Sequence, residues 1–282
     1  MAILSIQSHV SFGYVGNSAA QFALQYLGYE VWPVHTVLFS NHPGHKSFRG
    51  EILPTEDIQS VLLGLLDLPI GGECEAILSG YLGHKETGIM LDEIISRFQE
   101  ENRHLIYVCD PVIGDIKEGT YVVPELVKVF RDDLIPLATV ITPNAYELSE
   151  LTGDPVGTIG DVLKAARKLM NPGPSIVIVT SVIDAGQPDH LNTLLITPDH
   201  AWIVPSPLLV NPPKGAGDLL SALWLAWYLE GKPPEQALVE AVSSVFSLIR
   251  SAGPEGGLEL PLINSRKFLQ SPDCRLQIKP LD

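Results

Sequence analysis

Asp218 follows Gly215, Ala216 and Gly217 and precedes an apolar run, in a stretch that reads Asn-Pro-Pro-Lys-Gly-Ala-Gly-Asp-Leu-Leu-Ser-Ala from Asn211 to Ala222. Residues this small let a backbone turn tightly and aim its N–H groups at one point. A helix beginning there adds unpaired N–H groups and the positive end of its dipole, which together make a hole for an anion such as a transferring phosphate. The spacing puts Asp218 in the first helical turn. There the dipole holds a carboxylate ionised, able to take a proton from a substrate hydroxyl while the phosphate binds beside it. On spacing alone, a glycine turn followed by a capping aspartate accounts for the same residues equally well. Lys214 is placed to touch a phosphate, although a solvated surface lysine is the more frequent outcome.

Other residues offer related chemistry. Asp110 and Asp115 bracket Pro-Val-Ile-Gly, a turn that brings two carboxylates to one side of a strand end. Such a pair suits Mg²⁺, which is held by one or two carboxylates together with waters and substrate phosphates. An Asp-Pro turn with a solvent-facing aspartate is the equal alternative. Asn144 and Glu147 have the spacing of a capping box, which also puts Glu147 near any phosphate or metal at that helix start. His42 and His45 lie three apart with no third ligand at a suitable spacing nearby, which disfavours a metal site. The sequence has no Gly-x-x-x-x-Gly-Lys-Ser/Thr loop and no His-Arg-Asp with Asp-Phe-Gly set. A phosphate-moving protein with this sequence uses neither of those architectures.

The positioning elements follow from hydrophobic period. Ala2 to Gln7 reads as a strand, Ser8 to Asn17 as a loop and Ser18 to Leu27 as a helix, after which Glu30 to Val34 is a second strand. Thr36 to Gly50 is rich in Ser, Asn, His, Pro and Gly with neither helical nor strand period, and reads as a mobile flap. Helices near 56–66 and 87–101 then alternate with strands at 76–79, 105–109, 139–142 and 176–180. A hairpin over 190–204, a helix over 219–229 that is apolar on every face, an amphipathic helix over 235–250 and an edge strand at 275–278 complete the chain. This alternation predicts an α/β fold, a mostly parallel central sheet with helices on both faces, in one domain over 1–282. Sites in such folds lie beyond the carboxyl ends of the strands. Ser8, Ser79 to Tyr81, Asp110, Thr142 to Asn144, Thr180 and Ser181 all fall there.

With 45% hydrophobic and 18% charged residues, the chain has ample apolar surface for a core. A formal charge of −15 argues against nucleic acid or an acidic membrane surface as partner. No apolar run approaches the roughly 20 residues that span a bilayer, and the N-terminus lacks the basic start of a secretory signal. Three cysteines without metal or redox spacing fit reduced thiols, so a cytoplasmic location is expected.

With Gly-Ala-Gly-Asp on a helix in an α/β chain of this order, the sequence resembles the ribokinase-like superfamily of small-molecule kinases. Further motifs narrow the resemblance to pyridoxal kinases: Ser5 to Asn17 (Ser-Ile-Gln-Ser-His-Val-Ser-Phe-Gly-Tyr-Val-Gly-Asn), Phe39-Ser-Asn-His42, Ser79-Gly-Tyr81, Val108 to Asp115 and Thr142-Pro-Asn-x-x-Glu-Leu148. They occur in the same order over most of the chain. The resemblance implies ATP-dependent phosphorylation of the 5′-hydroxymethyl group of pyridoxal in a homodimer, with Mg²⁺ and room for a monovalent cation, K⁺ or Na⁺. It makes Asp218 the base and Gly215, Ala216 and Gly217 the anion hole. Ser8, Tyr81 and His42 would hold the pyridine ring. Asp110, Asp115, Thr142, Asn144 and Glu147 would serve ATP and its metal, Thr180 and Ser181 would line the nucleotide site, and Tyr121 would belong to a lid over the phosphates at about 115–122. Two departures fall in the flap, where Leu38 and Pro43 replace the Gln and Thr that such kinases commonly carry. Ala216 stands where they often have Thr. The rivals are a kinase of hydroxymethylpyrimidine, or of a sugar or nucleoside, on the same fold, and a non-catalytic pyridoxal-binding protein. Hydroxymethylpyrimidine kinases tend to carry Cys at the position of Asp218 and a Gly-rich first loop in place of Gln7-Ser8-His9, and an intact Asp218 with both glycines speaks against a non-catalytic role.

Overall fold

A computed structural model describes residues 2–171, 173–186, 188–253 and 256–281. Strands β1 (Ala2–Phe12), β2 (Glu30–Asn41), β3 (Gly50–Ile52), β4 (Cys74–Ser79), β5 (Ile106–Cys109), β6 (Gly114–Asp115), β7 (Gly119–Thr120), β8 (Val140–Ile141), β9 (Ile176–Val182), β10 (His190–Ile196), β11 (Ala201–Pro207) and β12 (Lys279–Leu281) alternate with helices for most of the chain. The helices are α1 (Asn17–Tyr26), α2 (Thr55–Leu66), α3 (Lys85–Glu101), α4 (Pro124–Val129), α5 (Ile135–Leu137), α6 (Ala145–Thr152), α7 (Ile159–Leu169), α8 (Ala216–Leu229) and α9 (Pro234–Arg250). Ten strands form one sheet in the order β12-β11-β10-β9-β8-β5-β4-β1-β2-β3, and β6 pairs with β7 apart from it. From β9 through β2 the pairing is parallel; β3 and β10 to β12 run antiparallel at the edges.

The alternation of side chains across each strand sends two apolar sets in opposite directions. Leu4, Ile6, Val177 and Val179 join a core with Leu62, Leu91, Phe98, Phe130 and Leu151 from the helices on one face. Ile3 and Ile178 join the other, with Ala19, Leu24, Leu223, Trp224 and Leu238. Within α8 every residue from Leu219 to Ala226 is buried, which is why its sequence shows no polar stripe. This rigid helix carries Asp218 at its start.

The strand order reverses direction between β1 and β4: the chain first builds outward from β1 to β2 and β3, then returns to the other side of β1. A parallel sheet opens a crevice at such a point, beyond the carboxyl ends of the strands. Adjacent strand ends are tied in a row by Gly80 N–H to Ile6 O (3.1 Å), Asp110 N–H to Ser79 O (2.9 Å), Thr142 N–H to Cys109 O (3.1 Å) and Thr180 N–H to Pro143 O (3.0 Å). The expected site residues therefore share one edge.

Several expected boundaries move. β1 runs on to Phe12, so Ser8 lies inside a strand, at a register irregularity opposite Thr36 and Val37. Thr36 to Asn41 extends β2, and Gly50 begins β3, so the flap is a β-hairpin whose tip alone is irregular. Val37 is buried and the Thr36 hydroxyl donates to Tyr81 O at 2.6 Å, anchors that the surrounding His, Pro and Ser residues conceal in the sequence. Thr180 and Ser181 lie within β9, at a bulge opposite β10 where Ser181 takes φ 58°. The edge strand is Lys279–Leu281 rather than 275–278; Leu276 and Ile278 pack against the helical core instead of pairing. Among the described residues no helix is long and apolar enough to cross a membrane.

Candidate active site

Gly215 caps α8 in the left-handed region at φ 90°, and a Cβ there would lie 1.9 Å from Tyr14 O, so no side chain fits. Its tight passage under the first loop sets the start of the helix. Leu219 N–H is the first to bond back along the chain, to Gly215 O at 3.0 Å. The amides of Ala216, Gly217 and Asp218 consequently have no helical acceptor, and the space beside Gly217 is open. Donors freed in this way are what the expected anion hole would need.

Three carboxylates converge on this edge. Asp110, at the end of β5, is buried and accepts from Ser221 Oγ at 3.1 Å, and the Ser221 oxygen lies 2.9 Å from Thr142 Oγ1, whose hydroxyl can donate to it. Burial pushes the Asp110 carboxyl well above its ordinary range, and the charges of Glu147 and Asp218 push the same way. Glu147 caps α6 and is buried. Its Oε2 accepts from Asn144 N–H (2.8 Å) and its Oε1 from the N–H groups of Ile113 (3.0 Å) and Gly114 (3.4 Å). The capping box is real, with Asn144 Oδ1 accepting from Glu147 N–H at 2.9 Å, and the same side chain also binds the turn after Asp110. Burial drives its carboxyl up to about 8 against those three donors. Asp218 is half-buried. Desolvation raises its carboxyl, although the N–H groups of Gly16 and of Asp218 itself oppose the shift. Loss of water thus works against the ionised form that the helix start favours, and moves the carboxyl's titration above the ordinary aspartate range. None of the groups bonded to these three carboxylates is a basic side chain. The mutual repulsion of these carboxylates is what a divalent cation with its waters would relieve.

Asp115 stands apart from that trio in its bonding. It accepts from Lys117 N–H (2.8 Å), Glu118 N–H (2.9 Å), Lys214 Nζ (3.0 Å) and the Tyr121 hydroxyl, and despite partial burial these bonds hold its carboxyl down at about 2. Lys214 also reaches Glu118 Oε1 at 2.7 Å. The loop carrying Asp115 and Tyr121 is thus fastened to the residue before the glycines. Ser8 and Tyr81 stand half-buried at the ends of the central strands, and His42 is buried at the flap tip.

Sequence spacing left His42 and His45 without a third partner; the fold supplies Glu259, whose Oε1 is 3.0 Å from His42 Nε2 and 2.6 Å from His45 Nε2. Glu259 escapes sequence reasoning because it belongs to no recognisable motif, and Ser221, although inside the Asn211 to Ala222 stretch, carries no signal that ties it to Asp110. Asn17 does close the first motif, and its buried amide ties Ser5 O, Gln7 O and Val34 O together.

Comparison with known proteins agrees with this geometry. Residues 54–261 match the family described as phosphomethylpyrimidine kinase. The chain is 40% identical over 279 residues to the pyridoxal kinase PdxY of Rubrobacter xylanophilus, covering 98% of this chain and 96% of that one. It is 38% identical over 282 residues to the PdxY of Corynebacterium diphtheriae, covering all of both. Among solved structures it superposes on the pyridoxal kinase of Leishmania donovani in complex with ADP and pyridoxine, with a TM-score of 0.94 at 29% identity over 100% of this chain and 99% of that one. The pyridoxal kinase of Entamoeba histolytica gives 0.92 at 26% over 99% of each. With near-complete coverage by such relatives and a ribokinase-like sheet, the chain belongs to the pyridoxal kinase family.

Proposed function

We propose that this enzyme transfers the terminal phosphoryl group of ATP to the 5′-hydroxymethyl group of pyridoxal, and of pyridoxine and pyridoxamine, in vitamin B6 salvage. The observation that carries the reading is the pairing of a carboxylate with free backbone N–H groups at one helix start. Asp218 would take the proton of the acceptor hydroxyl, and the amides of Ala216 and Gly217, with Gly215 turning the chain, would hold the charge on the transferring group. Ser8, Tyr81 and His42 would hold the pyridine ring. Thr142, Asn144, Thr180 and Ser181 would line the nucleotide site, and Tyr121 would close the lid over the phosphates. Asp110 and Glu147, with Asp115, would hold Mg²⁺; when bound, the ion supplies neutralising charge at the phosphates. The reading includes a monovalent cation, K⁺ or Na⁺, a homodimer, a single domain over 1–282 and a cytoplasmic location.

The test is ADP release from ATP with pyridoxal, pyridoxine, pyridoxamine or hydroxymethylpyrimidine as acceptor. Turnover that requires pyridoxal or its two vitamers is expected. Turnover with hydroxymethylpyrimidine alone would favour the rival acceptor suggested by the matching family description, and pyridoxal binding without turnover would make the protein a sensor.

The flap departures make a smaller prediction. Leu38 faces Glu51 across the hairpin and is largely exposed, and Pro43 lies in the turn of the tip. Neither offers a side-chain hydrogen bond, and Pro43 lacks an N–H as well. Leu38→Gln with Pro43→Thr should lower the KM for pyridoxal by what one or two hydrogen bonds of about 0.5–1.5 kcal/mol supply, with kcat little changed. A lower kcat would instead mean that Pro43 pre-orders the tip. Unchanged steady-state constants would show that these positions do not touch substrate.

A further inference from the structure

Glu259 joins three segments that are remote in sequence. Its Oε2 accepts from Tyr14 N–H at 3.2 Å, and its Oε1 lies against both flap histidines, with His45 Nε2 at 2.6 Å and His42 Nε2 at 3.0 Å. Gly13 takes φ 97°, and a Cβ there would fall 2.1 Å from Glu259 Oε2, so the first loop is shaped to admit this carboxylate. The flap tip also passes close to Lys214, 3.8 Å from where a Cβ on Gly44 would stand. First loop, flap tip and glycine turn therefore meet around one side chain.

Two histidines and a carboxylate are also a set that binds transition metals. The tautomer argues otherwise. Gly44 N–H donates to His42 Nδ1 at 3.1 Å, which makes Nδ1 the acceptor and leaves the ring proton on Nε2, the nitrogen turned to Glu259. A metal would need the lone pair of that nitrogen. The set is instead a clasp between an acid and two ring N–H groups, and the His42 contact is close without being a well-directed hydrogen bond.

We infer that Glu259 is a positioning residue that holds the flap tip over the acceptor pocket, acting through His45 and orienting His42. It touches no reacting atom. Its work is to keep the hairpin tip, whose own backbone bonds are few, from swinging away, and so to shut water out of the site during transfer. The kinetic consequence rests on the pyridoxal reading above; the conformational one does not.

The tip carries its own probe, since Lys46 and Arg49 are exposed. In Glu259→Gln, trypsin should cut after Lys46 about tenfold faster than in wild type, and the KM for pyridoxal should rise by a similar factor with kcat within about twofold. His45→Ala should reproduce both changes. Because one contact is broken in either case, the double variant should be no worse than the worse single one. Native mass of the uncut protein and its melting temperature are recorded alongside. A lower melting temperature with wild-type cleavage and KM would make Glu259 merely structural, and additive effects of the two substitutions would break the clasp; either outcome overturns the inference. Faster cleavage with no pyridoxal turnover in any variant would uphold the latch and remove the substrate assignment instead.

Discussion

Asp218→Asn is expected to lower kcat by roughly 10²- to 10⁴-fold while ATP affinity stays within about twofold of wild type. The amide keeps the size and the acceptor oxygen that the N–H groups of Gly16 and residue 218 contact, so the helix start should hold its shape. What it loses is the ability to take a proton. That loss should fall on the chemical step, because in the proposed reading the carboxylate would face the acceptor hydroxyl and the nucleotide would be held elsewhere along the strand ends. A loose phosphoryl-transfer transition state needs less help from a base, which places the effect toward the smaller end of the range. The pH profile provides a second measurement. Desolvation raises the Asp218 carboxyl, so its proton-accepting form grows in as pH rises through a value above the ordinary aspartate range. Wild-type kcat/KM should consequently fall on the acidic side, and that limb should be missing from the variant. Turnover within about twofold of wild type would take the role of base away from Asp218.

How much of this could be seen before folding depends on whether the needed residues are neighbours in the chain. The proposed anion hole would be local: three small residues and a helix start would supply all its amides, so Gly215 to Asp218 stand out from spacing. Asp110, Thr142, Asn144 and Glu147 are legible for a different reason, since a parallel sheet must line up its strand ends and these residues follow strands. Sequence fails where a tertiary partner decides. The bulge that turns Thr180 and Ser181 exists because β9 pairs with β10, and nothing in Thr-Ser announces it. Thr36 to Asn41 becomes strand through parallel pairing with the end of β1, through pairing of Val37 to Phe39 with Gly50 to Ile52 and through the Thr36 bond to Tyr81, overriding a composition that looks like a loop. Leu276 and Ile278 alternate as a strand would, yet their spacing reflects packing on the helical core. Glu259 lies in a Gly-rich stretch with no motif, and its partners are more than 200 positions away, as the separation of 214 from His45 shows. The upward shift of the Asp218 carboxyl is a quantity of the same sort. A dipole can be read from a helix start, but the water lost around it cannot.

The same reasoning separates two roles for Glu147 that spacing leaves joined. If Glu147 only closed the capping box, Glu147→Gln would be nearly silent, since Gln completes that box as well. The structure gives the carboxylate a third duty. Its two oxygens take N–H groups from Asn144 on one side and from Ile113 and Gly114 on the other. An amide has one acceptor oxygen, so in Glu147→Gln its NH₂ must face a buried donor, and an unsatisfied buried donor costs about 1–3 kcal/mol. Part of that cost is offset wherever the carboxyl is ionised, because its charge repels Asp218 and Asp110. Loss of stability alone would therefore not identify a metal role. The discriminating quantity is the Mg²⁺ concentration for half-maximal activity at saturating ATP and pyridoxal, which should rise about 10- to 100-fold, the range found when a carboxylate supporting a metal site is neutralised. Asp161 supplies the control. With Thr158 it forms a capping box of the same geometry at the start of α7, on an exposed segment bonded only within its own turn. Asp161→Asn should cost stability through the cap and leave the Mg²⁺ requirement at the wild-type value. A Mg²⁺ titration of Glu147→Gln that overlays both wild type and Asp161→Asn would confine Glu147 to holding the turn between β5 and β6 against the start of α6, and would leave Asp110 as the buried carboxylate to test next.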